Sequence, residues 1–168
     1  LIAPMIITVL LPKLAAMVKG SRAELVALEA QGAGLMTSVG LAATLGLGVA
    51  GPLALRWLFG PEYAAAEQVL LVHALSVVPL FMMEWRGALL VALDKAKLSA
   101  AVAWAAALLN IVLNVLWIPS HGPMGAAWAT VVSYTLGGFV ATWLLPDCRW
   151  LAVSQVKSLL APLRWMLS

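Results

Sequence analysis

The run 98-LSAAVAWAAALLNIVLNVLWI-118, the break 119-PSHGP-123 and the run 124-MGAAWATVVSYTLGGFVATWLL-145 decide the fold. Neither long run carries a single Asp, Glu, Lys or Arg. Each matches the roughly 20 residues that a helix needs to cross a bilayer core of about 30 Å. In lipid every backbone N–H and C=O must be satisfied within the protein, so two such runs are two helices. The short break between them, rich in proline and glycine, is a tight loop.

Working outward, the same pattern repeats. Residues 64–93 form another apolar segment, with Pro79 as a kink and Asp94-Lys95-Ala96-Lys97 at its end. Before it come residues 35–59, rich in Gly40, Gly46, Gly48 and Gly51, with a kink expected at Pro52 and a turn at Gly60-Pro61-Glu62-Tyr63. Small residues let membrane helices approach closely. A first span covers 1–18 and carries Pro4 and Pro12. Ser21-Arg22-Ala23-Glu24 has the form of a capping box and predicts a short interfacial helix within the polar stretch 19–31. The chain opens inside an apolar segment, and its preceding part is expected to be missing.

Composition agrees. The chain is 64% hydrophobic and 10% charged, where a soluble domain is about 45–50% apolar and about 25% charged. The expected class is therefore all-α: a polytopic transmembrane bundle of about five spans over 1–145, with a tail or connector over 146–168. In the tail, Ala152, Val156, Leu159, Leu160, Leu163 and Leu167 recur at helical spacing, with Ser154, Lys157, Ser158 and Arg164 on the other side. That pattern predicts a helix lying on the membrane surface, or a link to further spans. The lone Cys148 closes no internal disulfide.

The cations fix an expected orientation. Lys13, Lys19, Arg22, Lys95, Lys97, Arg149, Lys157 and Arg164 fall on one side, and Arg56 alone on the other. The positive-inside rule puts the Asp94–Lys97 loop and the tail in the cytoplasm. Trp57, Trp117, Trp143 and Trp150 fall near the expected interfaces.

No catalytic signature is present: no HExxH, phosphate-binding Gly-Lys-Ser/Thr loop, Cys-x-x-Cys or nucleophile elbow. Neither an enzyme, a cofactor, a metal site nor a nucleic-acid partner is expected. His73 and His121 are expected at different depths. Charge within a membrane helix is costly and faces a cavity or a partner, which makes Glu84 and Arg86 candidates for a substrate or proton path. The competing reading is that both snorkel to the interface beside Trp85. On one continuous helix His73 and Glu84 share a face, and Arg86 points nearly opposite Glu84. Arg56, one turn from a helix end, meets an anionic substrate or lipid headgroups. Asn110 and Asn114 face the same way and either bridge to a neighbouring helix or line a cavity. Gly122, Gly125, Ala126 and Ala127 form a close-packing surface, as do Gly137 and Gly138, which also mark a soft point.

Taken together the motifs resemble a known family. Leu58-Phe59-Gly60-Pro61-Glu62-Tyr63-Ala64 is similar to the F-G-x-x-Y-x-x-A turn of the polysaccharide flippases. Those share a superfamily with the multidrug and toxic compound extruders. The stretch 90–97 resembles their L-x-A-x-x-K-x-K helix end, and Leu11-Pro12-Lys13-Leu14 the end of an earlier helix. Asn110, Asn114, Ile118-Pro119, Gly122 and Gly125-Ala126-Ala127 resemble their N-x-x-x-N … I-P-x-x-G-x-x-G-A-A run. The resemblance covers about 10–145. It implies two six-helix bundles around a cavity, with this chain supplying most of the C-terminal one and an N-terminal bundle as its partner. It also implies a job: moving an undecaprenyl-pyrophosphate-linked oligosaccharide across the bacterial inner membrane for O-antigen or other surface polysaccharide. Arginine's fork suits a pyrophosphate, which points to Arg86 first and Arg56 second. A multidrug or cation extruder, with Glu84 as its carboxylate, and a non-transporting scaffold of a glycan assembly complex are the alternatives.

Overall fold

The computed structural model describes residues 2–18, 20–144 and 149–159; Lys19, residues 145–148 with Cys148, and the tail residues 160–168 lie outside the described set. Every element in it is helical: α1 (Ile2–Met17), α2 (Arg22–Phe59), a 3₁₀ turn (Pro61–Tyr63), α3 (Ala64–Ala74), α4 (Val77–Ala92), α5 (Ala96–Thr135), a π-helical turn (Leu136–Val140), α6 (Ala141–Trp143) and α7 (Arg149–Ser158). Three stretches are long and apolar enough to cross a membrane: Arg22–Phe59, Pro61–Ala92 and Ala96–Trp143. Apolar side chains crowd their outer surfaces: Trp104, Leu108, Ile111, Val115 and Leu116 along α5 are all more than half exposed. Such a continuous apolar surface is stable against lipid tails and not in water.

α5 is two helices. Gly122 sits at φ 57°, ψ −139°, and the chain doubles back on it. Asn110 reaches Ser133, the Gly125 backbone abuts Trp117 and Gly137 abuts Ala106. Each pair is centred within about one residue of position 122, as an antiparallel hairpin requires. The two long runs of the sequence are its arms, and the turn is tighter than the sequence suggests, reduced from five residues to one.

α2 departs from the expected pattern. The capping box forms, with Ser21 N–H donating to Glu24 Oε2 and Glu24 N–H to Ser21 Oγ, both at 3.2 Å. It does not start a separate interfacial helix but the first turn of a 38-residue rod that runs on through Pro52. Leu25, Leu28, Gly32, Ala33 and Met36 of the polar-looking end are buried, so packing on α4 and α7 extends the helix where composition alone would stop it.

Pro79 acts one turn earlier than a simple kink. Proline clashes with the carbonyl four residues before it and cannot donate to it. That carbonyl belongs to Leu75, and the helix breaks at Leu75–Ser76. Thr44 Oγ1 donates to Ala74 O at 3.1 Å, beside the break, and Ser76 Oγ joins its own N–H on His73 O, at 2.6 and 3.0 Å. α4 ends in a Schellman motif, with Lys95 N–H on Leu90 O and Asp94 N–H on Val91 O. Asp94 takes the left-handed conformation there, φ 59°.

α4 is the centre of the bundle, packed against α1, α2, α5 and the π turn. Its Phe81, Met82, Trp85, Leu89 and Leu90 are buried with Leu14, Met36 and Leu151. The π turn falls on Gly137-Gly138, the expected soft point.

α7 is the helix expected in the tail, and its polar side meets the bundle. Leu151, Ala152, Gln155 and Ser158 are buried, whereas Val153, Val156, Lys157 and Leu159 are exposed. The helix docks on α2 through a largely polar face. Buried hydroxyl and amide partners on the bundle outweigh the apolar stripe: Thr142 donates to Gln155 Oε1 at 3.1 Å, and Ser158 meets Thr37 at 3.1 Å. Leu160, Leu163, Arg164 and Leu167 of the expected pattern lie outside the described residues.

Candidate functional site

The charged residues of α4 converge on one cavity. It holds about 420 Å³ between α1, α4 and α5, and its lining includes Thr8, Glu84, Arg86, Gly87 and Ser99. Glu84 and Arg86 are two residues apart, yet both reach it, because α1 and α5 flank α4 and the cavity wraps around the helix between them. Arg86 is 1% exposed. Its side chain is enclosed by the cavity and the bundle. Thr8 donates to Pro4 O and Ser99 to Gly87 O, so both hydroxyl groups stand at the wall with acceptor lone pairs to spare. A buried cation, a half-buried carboxylate and two hydroxyls in one cleft can receive an anionic, hydroxyl-rich headgroup.

The other candidates lie elsewhere. His73 belongs to α3, and the break at Leu75–Ser76 removes it from the face of Glu84. It lines a second, mostly apolar crevice of about 630 Å³ with Leu55, Gln68, His121 and Met124. The two histidines thus share a crevice rather than lying at different depths, because α3 packs against the hairpin of α5. Ser120 Oγ and His121 Nδ1 are 2.8 Å apart. Among the described residues no group of three or more His, Cys, Asp or Glu gathers as a metal site would.

Arg56 grips Glu67 with both arms of its guanidinium, Nε to Oε1 at 2.6 Å and Nη2 to Oε2 at 2.7 Å. The pair staples the end of α2 to the first turn of α3. The sequence places Glu67 eleven residues on, across a turn, and its 9% side-chain exposure is set by the fold. Asn110 and Asn114 form a ladder along one arm of the hairpin: Asn114 Nδ2 donates to Asn110 Oδ1 at 2.9 Å, and Asn110 Nδ2 to Ser133 Oγ at 3.0 Å. Asn110 bridges the arms, and Asn114 is tied to it on its own arm.

Besides Glu67, a second buried acidic residue escaped the sequence reading. Glu29 lies in α2 with no exposed surface. Its place among Arg22, Glu24 and Gln31 made it look like a solvated residue of a polar stretch.

No curated protein and no solved structure matches the chain. A family model does: residues 1–160 match MurJ, described as the lipid II flippase. The match spans nearly the whole chain and places it among membrane transporters for lipid-linked precursors, not among enzymes. With the multi-pass helical bundle and the charged cleft on its central helix, the chain belongs to the MurJ lipid II flippase family.

Proposed function

We propose that the protein carries an undecaprenyl-pyrophosphate-linked saccharide from the cytoplasmic to the periplasmic leaflet of the bacterial inner membrane, with lipid II as the substrate. The observation that carries this reading is the family match over 1–160; the α1–α4–α5 cavity supplies a physical counterpart. Pyrophosphate is a bidentate acceptor, and Arg86 is a bidentate donor in a cleft of low dielectric, where such a contact is strong. Thr8 and Ser99 supply hydroxyl groups for the sugar. A second bundle, as the resemblance implies, forms the facing wall, and rocking of the two bundles opens the cleft to each leaflet in turn. An O-antigen-type oligosaccharide, which the sequence motifs favour, shares the same carrier and pyrophosphate and differs only in the sugar.

The experiment expresses the full-length parent in two strains. One is depleted of its resident lipid II flippase, the other lacks its O-antigen flippase. Restored growth of the first is the expected result. Restored surface polysaccharide in the second alone moves the assignment to O-antigen, and rescue of neither rejects the flippase reading.

Orientation follows from the cations. With Cys148→Ser as background, Lys97→Cys is expected to be shielded from a membrane-impermeant maleimide in spheroplasts and Glu62→Cys to be labelled. The opposite pattern overturns the positive-inside assignment.

A further inference from the structure

The face that α7 turns toward the bundle carries polar groups beside Leu151 and Ala152, and one of them stands against an acid. Ser158 meets Thr37, Gln155 meets Thr142, and Ser154, one turn earlier, bears on Glu29. Glu29 is fully buried, and among the described residues no hydrogen bond of full strength reaches either carboxyl oxygen; the Ser154 hydroxyl beside it favours the charged form less than burial disfavours it. No described cation offsets it. Arg22, Lys13 and Lys157 are exposed, and Arg149 is exposed and bonded to Trp143 O. Arg86 faces the α1 side of α4, and Arg86 and Lys95 each have partners of their own. From α4 the neighbour across α2 is Trp85, packed over Gly32 one turn along from Glu29; it carries no charge. Glu24 is exposed and committed to the Ser21 cap. A carboxylate in this position would be buried, charged and unpaired, which is among the most unfavourable states a side chain can take. A neutral carboxylic acid is tolerated there.

We propose that Glu29 is a proton-binding site at the α2–α7 interface, holding its proton while α7 is docked and releasing it to water when α7 lifts away. The reaction is an O–H ionisation: the carboxyl keeps the electron pair, and the proton leaves to solvent that enters as Ser154, Gln155 and Ser158 separate from the bundle. The ligand is the proton itself, and what it controls is whether α7 stays against α2. The site is independent of the pyrophosphate cleft on the other side of α4.

Glu29 precedes the apolar run that begins at Gly32, and burial pushes its carboxyl up from 4.5 to about 7. Its contribution to docking is therefore fully present below 4.5 and is lost as pH rises through about 7. Hydrogen exchange of the α7 amides, in the full-length parent in lipid nanodiscs and corrected for intrinsic rates, reads this directly. Opening of α7 is expected to rise about tenfold from about pH 6 to about pH 8, with no such slope in α5 of the same molecules. Glu29→Gln is expected to keep α7 protected at both values. Infrared difference spectra between the two should show a protonated carboxyl band that Glu29→Gln removes. A flat wild-type profile, or the same slope in Glu29→Gln, overturns the proposal. Should Glu29→Gln not accumulate in the membrane, the wild-type slope of α7 against α5 decides alone.

Discussion

Arg86→Ala is expected to abolish transport while leaving membrane abundance within reach of the parent's. Arg86 is the buried cation of the α1–α4–α5 cleft. Each hydrogen bond to a charged group contributes about 1.5–3 kcal/mol, so losing a bidentate contact to pyrophosphate removes about 3 kcal/mol or more, a loss of at least about hundredfold. Arg86→Lys restores the charge and not the fork, and is expected to recover only part of the rate. Flipping is measured in cells depleted of the resident flippase, normalised to protein in the membrane. Full rescue by Arg86→Ala at equal abundance would remove Arg86 from the substrate path. Rescue by Arg86→Lys to the parent's level would show that a point charge suffices.

A large structural effect is expected at Gly138. A Cβ built there lies 2.7 Å from Pro79 O and 3.4 Å from Pro79 C. Both are backbone atoms of the central helix, so nothing flexible can yield; α4 and the π turn would have to part. Overpacking of this kind costs about 1–3 kcal/mol, and the upper end applies when the obstacle is main chain. Gly138→Ala is therefore expected to lower the unfolding temperature in detergent and to reduce accumulation. The matched control is Gly46→Ala, whose Cβ would meet nothing within 4 Å. In an open helical position alanine is favoured over glycine by about 0.5–1 kcal/mol, so the control should be neutral or slightly stabilised. Identical behaviour of the two variants would dismiss the close α4–π-turn contact.

The membrane class and the hairpin were legible because they depend on length and charge alone, and 98–118 and 124–145 carry neither Asp, Glu, Lys nor Arg. The Ser21–Glu24 cap was legible because it is local: both halves of the box lie within four residues. What the sequence misrepresented is governed by tertiary contact. The break belongs to Leu75–Ser76 because proline acts on the preceding turn, and once it is there His73 and Glu84 cannot share a face. The tail's apolar stripe was expected on the membrane surface, and nothing in it showed that the polar face docks on the bundle. In lipid, however, an apolar stripe gains little by turning inward, while Gln155 and Ser158 gain partners only inside the bundle. For the same reason a single helical wheel separates Glu84 from Arg86: it describes α4 and knows nothing of the flanks that α1 and α5 provide. Glu29 was invisible for a related reason, since only the arrival of α7 buries it.

The length of α2 has its own mechanical meaning. At 1.5 Å per residue its 38 residues make a strut of about 57 Å, nearly twice the thickness of a bilayer's hydrocarbon core. The Arg56–Glu67 clamp pins one end to α3, and α7 rides on the other. Swung about the clamped end by about ten degrees, such a strut carries the Ser21 end through about 10 Å. A displacement too small to notice beside Arg56 thus becomes, at the Glu29 end, one of several ångströms.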